Sequence, residues 1–107
     1  MLGVRVEIFR YVDDSQPGWV ECRFVDAFGQ EHVFLEKVPI VTTALLDAAT
    51  TYPQPGHIAC IAVARHMRDD GRELVQIDTQ MPYGIASKTG KSRFDVFLEQ
   101  LDRFNTG

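Results

Sequence analysis

Cationic charge is scarce in this sequence: eleven Lys and Arg stand against fifteen Asp and Glu, a net charge of −4. Nonspecific binding to nucleic acid draws most of its affinity from cations laid against phosphate, so a polyanion is not the expected partner. Long apolar runs are absent as well. No segment approaches the roughly 20 residues that a helix needs to span a bilayer, which excludes a helical transmembrane protein. The first ten residues are interrupted by Arg5, Glu7 and Arg10, do not read as a secretory signal, and predict a cytoplasmic protein. Cysteine is limited to Cys22 and Cys60, each inside an apolar segment. Two such cysteines without an export signal are expected as buried, reduced thiols rather than as a disulfide. Histidine is limited to His32, His57 and His66, scattered over three segments, and neither C-x-x-C nor H-E-x-x-H occurs. No metal site and no cofactor is expected.

What is present suits one small domain. The 107 residues, taken as a single β domain over 1–107, bury roughly 65% of the surface of the unfolded chain, enough for one modest core. With 45% apolar residues the chain is too hydrophobic for disorder. Valine and isoleucine together number seventeen against seven leucines, a balance that favours strands.

The periodicity agrees. Val4, Val6 and Ile8 alternate with Arg5 and Glu7, predicting a strand over 3–11. The run 13–18, with Pro17 and Gly18, is a turn, and Val20, Cys22 and Phe24 then mark a strand over 19–25. A turn at 26–30 leads to a third strand, 31–38, with Val33 and Leu35 on one face. These three segments form a meander. Residues 43–49 predict one or two helical turns capped by Thr42 or Thr43. Pro53 and Pro55 predict a stiff extended connector over 50–56, barred from helix and ladder alike. Residues 57–64 are apolar at nearly every position and read as a strand buried on both faces, with a short helix as the competing reading. Asp70-Gly71 predicts a hairpin pairing 57–67 with 72–78. Residues 84–87 are a candidate short strand. Phe94, Phe97, Leu98, Leu101 and Phe104 fit a helical stripe, yet Phe94, Val96 and Leu98 also alternate; a strand over 92–98 followed by a helical turn is the favoured reading. The fold class is therefore mainly β: a small antiparallel barrel, closed or half-open, of six or seven strands with one short helical segment.

Motifs of chemistry fail on spacing. Gly84 to Ser92 approximates a phosphate loop, but five residues separate Gly84 from Gly90 where four are needed, and Pro82-Tyr83 replaces the buried strand that should precede it. Cys60 has His57 three residues before it, on the opposite face of a strand, and His66 about 20 Å along it at ~3.3 Å per residue. Neither can activate the thiol of an extended segment. The paired carboxylates Asp13-Asp14 and Asp69-Asp70 belong to turns. No catalytic residue is assigned. Candidate binding residues are the aromatics beside turns, Trp19, Phe28 and Tyr83, and the one basic cluster, Lys88, Lys91 and Arg93. By parity Trp19 lies on the face opposite Val20, Cys22 and Phe24. Each aromatic plugs an end of the barrel unless two or more are exposed together, in which case they form a binding patch.

The runs Val20 to Gly29, Tyr52 to Cys60, and Asp78-Thr79 through Pro82-Tyr83-Gly84-Ile85 resemble those of a family of short bacterial β-rich proteins with no assigned activity. The resemblance covers most of the chain and rests on turn and strand punctuation. It implies a shared fold and supplies no catalytic residue. Composition and motifs together favour a protein-interaction or accessory module, inhibitor-like or dimeric, whose partner is another chain or a second copy. The alternative is a small-ligand or single-stranded nucleic-acid binder using the barrel mouth. An enzyme ranks last.

Overall fold

Alternation of Val4, Val6 and Ile8 against Arg5 and Glu7 produces a twelve-residue strand, β1 (Leu2–Asp13), whose three aliphatic side chains are buried. The computed structural model describes residues 1–104. Around β1 stand β2 (Trp19–Val25), β3 (Glu31–Lys37), β4 (Gln54–Met67), β5 (Glu73–Asp78), β6 (Arg93–Phe97) and β7 (Leu101–Arg103), with one helical turn, α1 (Val38–Val41), after β3. The strand order is β3-β2-β1-β4-β5-β6, and every pairing is antiparallel. After a 3-10 turn at Leu98–Gln100, β7 returns to β1 and pairs with Leu2–Val4, on the edge that β2 occupies further along. The sheet thus curls into a half-barrel. Its two ends are tied by the Lys88 N–H to the Val33 carbonyl (2.8 Å), the Ala27 N–H to the Asp95 carbonyl (2.8 Å) and the Gln100 side-chain amide to the Val25 carbonyl (2.8 Å). No helix among the described residues is long and apolar enough to cross a membrane.

The concave face holds the core: Val4, Val6 and Ile8 meet Val20, Cys22, Phe24, Phe34, Ile58, Val75, Ile77, Phe94 and Val96. Each aliphatic or aromatic side chain so buried contributes on the order of 2 kcal/mol. Phe24, Phe34 and Phe94 pack at centroid distances of 5.2 to 5.8 Å. Both thiols are free and buried in this core, as expected.

The meander 1–38, the strand over 19–25, the Asp70-Gly71 hairpin and the strand-then-turn reading of 92–98 are all observed. Five expectations are corrected. On β3 it is His32 and Phe34 that point inward, with Val33 half-buried and Leu35 exposed; the Phe24–His32 and Cys22–Phe34 pairings fix that register. Helix forms at Val38–Val41 and not at 43–49, because Pro39 sits in the first turn, where its missing N–H costs nothing, while Val38 and Val41 reach the core. Pro55 lies within β4, opposite Glu7, where the ladder tolerates it near the strand's start. Residues 84–87 form no strand; the Ile85 and Ser87 N–H groups bond to Thr79 and Lys91 carbonyls in a loop. Lastly, β4 is buried only through Gly56–Cys60, and every residue of Ile61–Met67 is exposed apart from its pairing with β5.

Candidate functional site

That exposed half of β4 is paired on one side only. β1 reaches along β4 as far as the Leu2–Cys60 pair, and beyond it no described strand lies against the second edge of Ile61–Met67. The strand therefore presents unpaired backbone N–H and C=O groups together with Ile61 (44% exposed), Val63 (41%) and Met67 (63%). Apolar composition made this segment look like a buried strand; it is apolar and uncovered. A register shift at Ala62/Ala64 leaves Val63 as an extra residue, a bulge that throws the side-chain alternation out of phase along the edge.

An open groove of about 720 Å³ adjoins its far end, lined by Ala27, Phe28, His66, Met67, Arg68, Asp69, Asp70 and Leu74. Phe28 stands 71% exposed there, on the β2–β3 turn. The turn is rigid: the Asp26 carboxylate accepts the Phe28 and Gln30 N–H groups at 2.9 and 3.0 Å. Beside the hairpin, Phe97 lies beneath the guanidinium groups of Arg72 (3.3 Å to the centroid) and Arg68 (5.4 Å).

The other candidate residues are dispersed. Trp19 is half-buried with the Lys37 ammonium 5.7 Å from its ring, and it lines neither the groove nor the cavity described below. Tyr83 is half-exposed in that separate cavity. Within the basic cluster, Lys88 donates to Glu21 at 2.5 Å and Arg93 pairs with Asp78 at 3.3 Å, while Lys91 lies 5.7 Å from the Phe94 ring. The cluster is thus largely spent on internal carboxylates. No protein-family model, no curated protein and no solved structure matches this chain.

Sequence reasoning missed three polar constellations. Glu21 is buried and clamped between Lys88 and Arg10, whose hydrogen bonds hold its carboxyl below the ordinary range despite burial. Arg10 and Glu21 are register partners, a signal readable only once the hairpin's bulges are known. Asp26 and His32 form a second, buried pair. The third joins strands that are not neighbours. His57 Nε2 lies 2.9 Å from Asp102 Oδ2, and Arg5 Nε is 3.3 Å from the same oxygen. β1 runs between β4 and β7, and its residue opposite Asp102 is Gly3. With no side chain at that position, imidazole and carboxylate meet across the intervening strand. A Cβ on Gly3 would overlap the Phe104 ring, which stacks on His57 at 5.0 Å and 20°.

Covalent chemistry finds no support in the thiols. Burial pushes Cys60 up to about 11 and, with Glu36 and Glu21 nearby, Cys22 up to about 12. Among the described residues, no three His, Cys, Asp or Glu side chains converge as a metal site would require.

Proposed function

We propose that the protein is an interaction module that takes an extended segment of another protein as an added strand along the free edge of β4. The observation that carries this reading is the Ile61–Met67 edge itself, open along its backbone and exposed on both faces with three large apolar side chains. Strand addition supplies affinity through main-chain hydrogen bonds and specificity through alternate side chains. Phe28 and Met67 in the adjoining groove extend the apolar contact past the end of the strand. A second copy suits this edge less well. Antiparallel self-pairing centred on Ala64 would set the residues on either side of the bulge against residues of opposite facing, and centring it on Arg65 would oppose two guanidinium groups. The bulge and Arg65 guard against self-association while leaving the edge open to a partner shaped to it. The acidic balance favours a protein over a nucleic acid, and two buried thiols suit a reducing cytoplasm.

The test is partner capture combined with amide exchange. A stoichiometric partner should be retained by the wild type, lost by Val63→Lys and by Ile61→Lys, and should protect amides of 61–67 from exchange. Capture indifferent to both substitutions, or a complex whose protection lies elsewhere, would overturn the reading. Both positions are exposed, so the variants should keep the wild-type unfolding midpoint.

A further inference from the structure

A cavity of about 500 Å³, partly open to solvent, is lined by the segment Pro39–Thr43 and the start of β4, with Tyr83 and Phe104 also in its wall. It is separate from the free edge of β4 and plays no part in strand addition. Its walls are chiefly carbon: Pro39, Ile40, Val41 and Pro55, with the two aromatic rings. A concave, mostly apolar site of this size with one or two fixed polar groups is the usual form of a small-molecule pocket. Here the fixed group is His57, the one imidazole or charged side chain in the lining.

The imidazole is held on two sides. Asp102 bonds Nε2, and the Phe104 ring covers one face, a placement that Gly3 permits. Among the described hydrogen bonds, the ring of His57 makes only the one through Nε2. The charge around it is alternating and incomplete. Arg5 already neutralises Asp102, so the trio is uncharged with a neutral imidazole and carries one positive charge with a protonated one. No carboxylate lines the cavity. A ligand cation would therefore meet an imidazole backed by a guanidinium, whereas a ligand anion would complete the sequence of alternating charges and hold the imidazolium from its second side. The flat walls of Tyr83, Phe104 and the two prolines suit an aromatic body. The net charge of −4 opposes anions only at long range, since screening at 0.15 M salt acts beyond about 8 Å.

We propose that this cavity binds a small aromatic carboxylate, its ring between Tyr83 and the proline wall and its carboxylate on the His57 imidazole. The experiment is an NMR titration of the full chain with 1-naphthoate and indole-3-acetate, each beside its neutral amide, and with 1-naphthylmethylamine as the cation. The acids should bind saturably, shift signals of His57, Tyr83 and Phe104, and exceed their amides and the amine by at least tenfold. His57→Gln should bring each acid down to the level of its amide while the amides themselves are unaffected, which also reports that the cavity is intact. Thr43→Trp, a filling substitution at an exposed rim position, should abolish binding of all ligands without lowering stability. Val63→Lys should leave every value unchanged, so that failure here and failure of strand addition are separately visible. Absence of saturable binding by either acid, equal binding of acid and amide, or an acid preference that survives His57→Gln would overturn the proposal.

Discussion

Asp26 and His32 face each other inside the protein, Oδ2 to Nε2 at 2.8 Å, with side chains 6% and 4% exposed. The ring of His32 also packs 4.5 Å from that of Phe94 and 5.5 Å from that of Phe24, so a polar pair sits within an aromatic cluster. Asp26 carries two duties at once. One oxygen fixes the turn that displays Phe28, and the other satisfies a histidine that would otherwise be buried without a partner.

This pair sets an acid limit on stability. Burial alone would raise the Asp26 carboxyl, but the His32 ring and the Gln30 and Phe28 amides outweigh it and hold the carboxyl below its ordinary range. A folded value below the unfolded one means that the contribution is complete above about pH 4 and is lost as pH falls through the folded value. Asp26→Ala should cost about 3 kcal/mol at pH 7, since it leaves a buried imidazole unpaired and the turn amides unbonded. Urea unfolding of wild type and variant from pH 7 to pH 2 checks both claims. The gap should narrow as pH falls, and a gap independent of pH would refute the assignment.

Thiol chemistry offers a second check. With Cys60 raised to about 11 and Cys22 to about 12, native protein at pH 8 should react negligibly with a disulfide reagent such as Ellman's. Unreduced protein denatured in guanidinium should release two equivalents. Fewer than two would mean an oxidised pair.

The hairpin at Asp70-Gly71 yields a third. Gly71 has φ of +84°, and the space around it is open, so a side chain there meets strain in the backbone and no clash. Gly71→Val should cost at least about 1 kcal/mol, read from the urea midpoint. A neutral result would place the strain elsewhere in the turn.

Amide exchange should divide β4 into two halves. Ile58–Cys60 pair with β1 and are buried, and should exchange with the slowest class, whereas alternate amides of Ile61–Met67 lack an acceptor and are exposed, and should exchange within the fastest ordered class. Uniform protection from 57 to 67 in the free protein would show that something already covers the edge.

The loop of Lys88, Lys91 and Arg93 should not bind phosphate usefully. Glu21 and Asp78 already engage two of its three cations, and no helix N-terminus lies behind it. Calorimetric titration with ATP, GTP and a short oligonucleotide should show no saturable micromolar binding in physiological salt. Micromolar binding abolished by changing all three residues to Ala would reverse the ranking of functions.

Strand identity was legible in the sequence because period-two alternation needs only neighbouring residues: Val4, Val6 and Ile8 in β1 and Val20, Cys22 and Phe24 in β2 follow from the pleat alone. The turn at Asp70-Gly71 was legible for the same local reason. What local pattern could not give is which apolar run is covered. Ile58 and Ile61 look alike along the chain, but Ile58 is buried opposite Val4 of β1 whereas Ile61 lies past the Leu2–Cys60 pair and is exposed, a difference that only the register between distant strands decides. His57, Asp102 and Arg5 likewise come from three strands, and their meeting depends on Gly3 leaving a gap in the strand between them. The pairing of distant strands decided both the open edge and the histidine cavity: β1 and β5 take different halves of β4, and β7 returns to β1 with Asp102 opposite Gly3.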